Sequence, residues 1–86
     1  MSALQDQLQK LRPLLDGASE SRLDLFDEFV REHEFELALH TVCDFRLEPN
    51  VRRLNASELE QIRLLHQAMQ IEDSCVEELQ KRTSHL

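Results

Sequence analysis

The chain has 86 residues, of which 41% are apolar and 31% charged, and this composition indicates a folded domain and excludes a wholly disordered chain. Eight carboxylates and two arginines give residues 16–36 a formal charge of −6, out of a net −7 for the whole chain. A surface of that sign repels nucleic acid and anionic lipid and attracts basic proteins, so we expect neither nucleic acid nor membrane as a partner.

A chain of this length has room for one domain, so we expect a single helical domain over residues 1–86. We expect it to lie in the cytoplasm. No apolar run approaches the roughly 18 residues of a membrane span, and the N-terminus lacks the basic-then-apolar layout of a secretory signal. Cys43 and Cys75 have no Cys or His at metal-finger spacing. We expect two free thiols, with a disulfide as the alternative.

The predicted fold class is all-α, a compact bundle of four to five short antiparallel helices. Helix formers are abundant, whereas β-branched clusters are scarce. The first helix is predicted over residues 3–15, kinked or ended near Pro13, with Gly17 as its terminator. It has one apolar stripe, formed by Leu4, Leu8, Leu11 and Leu15.

A second helix is predicted over residues 20–32, capped by Ser19 or Ser21. One side of it is apolar and the other nearly all carboxylate. The helical spacing of apolar residues is interrupted near His33 and Glu34, which predicts a tight turn between two helices. Histidine is one of the few residues besides glycine that are enriched in left-handed backbone geometry, so His33 suits this turn. A third helix over residues 35–47 is apolar around more than half its circumference and should lie at the centre of the bundle.

Pro49 and Asn50 should end the third helix. Asn55 or Ser57, each three residues before a glutamate, predicts the start of a fourth helix over residues 57–70. Ser74 should cap a fifth over residues 75–83, and His85 falls in a terminal tail.

Few residues suggest chemistry. The single glycine excludes glycine-rich phosphate-binding loops, so we expect no nucleotide or other cofactor. His40 and Asp44 lie one helical turn apart and could begin a metal site, but an exposed ion pair is the favoured interpretation because no third ligand can be named. His66 fits a hydrogen-bonded histidine at the edge of the core. We expect no catalysis and no bound metal.

The carboxylate side of the second helix is better explained as a surface that binds a partner than as one that only keeps the domain in solution. Like charges one turn apart, as in Asp24 with Glu28 and Glu28 with Glu32, destabilise a helix. Leu25 and Leu37 lie at or beyond the edges of the core faces, beside charged residues, as apolar anchors of an interface do. The predicted partner-binding residues are Asp24, Leu25, Asp27, Glu28, Glu32, Glu34, Glu36, Leu37, His40 and Asp44.

The segment from Phe29 to Asp44, which reads FVREHEFELALHTVCD, resembles the central signature of a family of small bacterial immunity proteins. This is the MafI-like family, of the kind that accompanies contact-dependent growth inhibition (CdiI-type). The shared features are an acidic helix end, the aromatic Phe35, the run from Leu37 to Leu39, and Cys43 followed by Asp44. This chain has His33 and Glu36 where the family pattern commonly has glycine.

The resemblance implies a cytoplasmic protein that binds and neutralises one cognate toxin. Toxins of such pairs are often nucleases carried as C-terminal domains, including EndoU-type ribonucleases, and a basic RNA-binding site would complement an acidic face. Two other functions stay open. One is a self-associating adaptor that forms a homodimer through Leu25, Leu37, Leu64, Ala68 and Ile71. The other is a small metal-dependent enzyme using His40 and Asp44.

Overall fold

The computed structural model describes residues 3–84, which form five α-helices and one 3₁₀ helix, with no strand within that range. The helices are α1 (Ala3–Gln9), α2 (Glu20–Arg31), α3 (Phe35–Arg46), α4 (Ala56–Ala68) and α5 (Cys75–Ser84), and the 3₁₀ helix spans Arg12–Leu15. They pack into a body of 38 × 28 × 20 Å. The predicted all-α bundle is confirmed. His85 lies outside the described residues.

The first predicted helix is shorter than expected. α1 ends at Gln9, and the chain continues as the 3₁₀ helix, with Leu14 N–H donating to the Leu11 carbonyl at 2.8 Å. The physical reason is Pro13, whose ring would collide with the carbonyl four residues earlier, that of Gln9, in a continuous α-helix. Gly17 then reverses the chain with φ of 92°, as its position predicted.

Local capping fixes where α2 and α4 begin. The Ser19 hydroxyl accepts from the Arg22 N–H at 3.2 Å, so Ser19 is the cap of α2. The Asn55 side chain accepts from the Glu58 N–H at 2.8 Å, and the Glu58 carboxylate accepts from the Asn55 N–H at 2.9 Å. This capping box starts α4 at Ala56, one residue before the predicted start.

The fifth helix begins differently from the prediction. Ser74 donates its hydroxyl to the Glu78 carboxylate, and the side chain that accepts from the Cys75 N–H is that of Asp73, at 3.0 Å. A carboxylate competes well for this position because its full negative charge favours a helix N-terminus.

α3 is the central helix, as predicted. It packs most extensively against α2 and also contacts α1, the 3₁₀ helix and α5. It buries Ala38, Leu39, Thr41, Val42, Cys43, Phe45 and Arg46. Around it lie the other buried apolar side chains, which are Leu8, Leu11, Leu14, Leu15, Phe26, Val30, Leu54, Ile62, Leu65, Cys75 and Leu79.

Candidate functional site

The ten predicted partner-binding residues all reach the surface, but they do not form one patch. Eight are exposed, while Asp27 and His40 are half-buried. Glu32, Glu34, Glu36 and Leu37 line one groove, and His40 and Asp44 line a separate cleft. The other four lie along α2: Asp24, Leu25, Asp27 and Glu28.

The groove lies at the end of the bundle where α2 turns into α3, and we call it the end groove. Its floor consists of four half-buried apolar side chains, and Leu37, 43% exposed, lies at its edge. Its rim consists of four exposed polar side chains. The floor is Leu4, Phe35, Met69 and Ile71, and the rim is Glu32, His33, Glu34 and Glu36.

Backbone hydrogen bonds fix the rim of the end groove. His33 adopts φ of 60°, the left-handed geometry that the sequence predicted. The Glu34 N–H donates to the Phe29 carbonyl at 2.8 Å, and the His33 N–H donates to the Val30 carbonyl at 3.2 Å. The rings of His33 and Phe35 are in contact, with centroids 5.3 Å apart. The turn is therefore well defined although it is exposed.

The carboxylates of this region are mostly without ion-pair partners. Within residues 3–84, no ion pair includes the side chains of Asp24, Glu28, Glu32, Glu34 or Glu36. No direct ion pair therefore offsets these charges within the described residues, although Arg12 lies near enough to Asp24 to interact with it electrostatically. Together the carboxylates produce a negative potential over the α2–α3 turn.

Asp27 differs from the other predicted carboxylates. The Arg12 guanidinium donates to both of its oxygens, at 2.9 and 3.0 Å, which connects the 3₁₀ helix to α2. This ion pair raises the pKa of Arg12, chiefly through the hydrogen bond to Asp27. Asp27 is thus part of an intramolecular contact and contributes less free charge than the sequence suggested.

His40 does not pair with Asp44, so the predicted ion pair is wrong. Its Nε2 lies 2.6 Å from one carboxylate oxygen of Asp73, and Nε2 of His66 lies 2.6 Å from the other. Asp73 lies in the connection between α4 and α5, so its contact with His40 forms only because the fold brings this connection back against α3. His66 is a hydrogen-bonded histidine at the core edge, as predicted.

The histidines affect the titration of Asp73. Burial by itself raises the pKa of its carboxyl group, but the hydrogen bonds from His66, the Cys75 N–H and His40 outweigh burial and leave the pKa below its ordinary value. The cluster stabilises the connection between α4 and α5. No group of three or more His, Cys, Asp or Glu side chains among residues 3–84 is arranged to bind a metal ion.

Cys43 and Cys75 form a disulfide, so the expectation of two free thiols is wrong. Their Cα atoms are 6.2 Å apart, and the bond joins the last turn of α3 to the first residue of α5. Both residues are buried. The sequence separation of 32 carried no indication of this proximity.

The opposite end of α3 is basic, which the sequence analysis did not identify. Arg46 is buried and donates to the carbonyls of Leu14 and Arg52. Burial, followed by the nearby Arg52 charge, lowers its pKa. Arg82 donates to the carbonyls of Arg46 and Val51. Both guanidinium groups thus donate to backbone carbonyls around the α3–α4 connection, and Arg46 also joins that connection to the 3₁₀ helix through Leu14.

No described helix has both the length and the apolar character that crossing a bilayer requires. Comparison with known protein families, with characterised protein sequences and with solved structures gives no significant match to this chain. The resemblance to small immunity proteins therefore stays a prediction.

Proposed function

We propose that this chain is an immunity protein that binds and neutralises a cognate bacterial toxin through the acidic surface formed by α2 and the α2–α3 turn. The observation that carries the proposal is a set of carboxylates that no ion pair within residues 3–84 includes. They are Asp24, Glu28, Glu32, Glu34 and Glu36. Leaving like charges unpaired lowers the stability of a small domain, and this cost is offset when a cationic partner binds.

The partner in this proposal is a basic toxin domain, with a nuclease as the leading candidate. A nuclease must attract phosphate, so its active site or its surroundings are positively charged. The acidic surface accelerates the encounter by long-range attraction and covers that basic surface once bound. The chain acts by binding alone, without catalysis, metal or cofactor.

We place this function in the cytoplasm, where a toxin nuclease would meet nucleic acid. The cytoplasm generally keeps thiols reduced, so Cys43 and Cys75 would be a dithiol there. The proposal therefore requires the five-helix fold to persist without the disulfide.

Growth rescue combined with calorimetry tests the proposal. The chain is co-expressed with the toxin domain encoded next to its gene, and a catalytically inactive form of that toxin is titrated into the purified protein. We expect rescue and an equimolar complex with nanomolar affinity, equivalent to about 12 kcal/mol. Absence of both rescue and binding would refute the proposal.

Charge reversal then tests the surface. Glu28→Lys with Glu32→Lys changes two carboxylates that no described ion pair uses, whereas Asp27→Lys would also break the contact with Arg12. We expect slower association and a weaker dependence of affinity on salt. The matched control, Glu72→Lys with Glu77→Lys, changes the net charge equally at two exposed positions elsewhere. If both pairs weaken binding equally, net charge and not this surface determines affinity.

A second candidate function, self-association, is favoured by a different observation. Leu64 is 54% exposed and lies beside a groove of about 170 Å³ between α1 and α4, whose other lining residues include Leu11 and Leu65. Two copies could bury this strip against each other. Sedimentation distinguishes the candidates, because a dimer that Leu64→Glu converts to monomer supports self-association.

A further inference from the structure

The end groove combines an apolar floor with an acidic rim, and its parts come from three regions of the chain. Leu4 is supplied by α1, Phe35 by the start of α3, and Met69 and Ile71 by the connection that follows α4. These side chains pack on the core but remain half-exposed, and Leu37 extends the apolar surface outward. The groove is an open depression with a volume of about 510 Å³, so a partner could reach it from solvent without any rearrangement of the chain.

The rim defines the charge of an occupant. Three carboxylates, those of Glu32, Glu34 and Glu36, border the groove, and no ion pair within residues 3–84 uses them. An acidic segment would be repelled by these carboxylates. A purely apolar segment would remove water from them without supplying a compensating positive charge. A segment with lysine or arginine on either side of a large apolar side chain satisfies both floor and rim.

The groove is formed before any partner binds. Its two bordering turns each contain a non-glycine residue with positive φ, His33 at 60° and Gln70 at 55°. The Gln70 N–H donates to the Gln67 carbonyl at 3.1 Å, and the Ile71 N–H donates to the His66 carbonyl at 3.3 Å, so this turn is pinned between Met69 and Ile71. A preformed groove loses little conformational entropy on binding.

We propose that the end groove is the principal docking site for the toxin, and that it takes a large apolar side chain presented between basic residues. This inference rests on the proposed immunity function, and within the proposed acidic surface it assigns the main contacts to the α2–α3 turn and its groove. Binding energy comes mainly from the floor and Leu37, while the rim governs the rate of encounter.

Three exposed leucines allow a matched test. Leu37, Leu25 and Leu64 have similar exposure, of 43%, 44% and 54%, but only Leu37 lies at the end groove. Each is changed to Ala, its folding is checked by thermal unfolding, and its binding to the inactive toxin is measured by kinetics. We expect Leu37→Ala to weaken binding roughly tenfold or more, mostly through faster dissociation, and the other two to change it less than about threefold.

A rim variant adds a second readout. Glu34→Gln with Glu36→Gln should slow association and reduce its salt dependence while dissociation changes little. If wild-type protein neither rescues growth nor binds the toxin, the proposed function and this inference are both overturned. If wild-type protein binds but Leu37→Ala behaves like Leu64→Ala, or only Leu25→Ala weakens binding, the end groove alone is overturned.

Discussion

Reduction of the Cys43–Cys75 disulfide is expected to lower the stability of the chain without abolishing the fold. The bond closes a loop with a sequence separation of 32 residues. In the chain-entropy model, opening a loop of that size stabilises the unfolded state by about 3.7 kcal/mol. For a domain of this size the loss corresponds to a decrease in melting temperature of roughly 15–30 °C.

The reduced chain should stay folded at low temperature, because fourteen buried apolar side chains besides the two cysteines form the core. Cys43 and Cys75 are buried among apolar side chains, where thiols are also acceptable. Helicity is followed by circular dichroism during heating, with and without a phosphine reductant, and the thiol content is titrated. A Cys43→Ala/Cys75→Ala variant is the control, because it lacks the bond in both conditions.

Two results would contradict this reasoning. An unchanged melting temperature after complete reduction would show that the cross-link does not restrict the unfolded chain. A reduced chain that is already unfolded at 37 °C, an outcome known for small disulfide-bonded domains, would refute a cytoplasmic site of action. In that case the proposed function would need an oxidising compartment.

Three further predictions concern the core, the helix cap and the turn, each measured by urea unfolding. Phe26 on α2 is fully buried, so Phe26→Ala should lower the free energy of unfolding by about 3–5 kcal/mol. Leu25→Ala, at the exposed neighbouring position, should lower it far less, and equal losses would contradict the observed burial. The pKa of Glu58 is lowered to about 2, chiefly by the hydrogen bond from Arg52. The ionised Glu58 carboxylate therefore contributes its full stabilisation of the fold above pH 4.5, and this contribution is lost as the pH falls toward 2. Glu58→Gln should therefore lose less stability than wild type over that interval, and parallel curves would refute this assignment. Gly17→Ala should lower the free energy of unfolding by about 1–2 kcal/mol, because alanine disfavours the left-handed backbone of this turn. Steric collision adds nothing, since the new Cβ would come no closer than 4.0 Å to other atoms, and an unchanged stability would show that the turn relaxes.

Local signals in the sequence were sufficient for most of the fold. Ser19, Gly17 and His33 were identified from residue type and periodicity, and the structure confirms the role of each. These positions are determined by interactions within one or two helical turns, such as a side-chain cap or a backbone angle. The early end of α1 also has a local cause in Pro13, although the prediction placed the break too late.

The errors at the candidate site involve residues distant in sequence. The partner of His40 is 33 residues away and that of Cys43 is 32 away. Nothing in the sequence indicated that Arg46 is buried, with its guanidinium donating to the carbonyls of Leu14 and Arg52. Periodicity shows which face of a helix is apolar, but it does not show which other helix covers that face. The floor of the end groove escaped notice for the same reason.

Carboxylates at the start of α3 and guanidinium groups at its end separate charge along the central helix. Glu34 and Glu36 flank the first turn, while Arg46 and Arg82 lie at the last and bind backbone carbonyls instead of carboxylates. A helix of 12 residues separates these charges by about 18 Å. Near a cationic surface this separation produces a torque that rotates the end groove toward that surface before contact. A larger share of collisions then begins in the orientation from which docking can proceed.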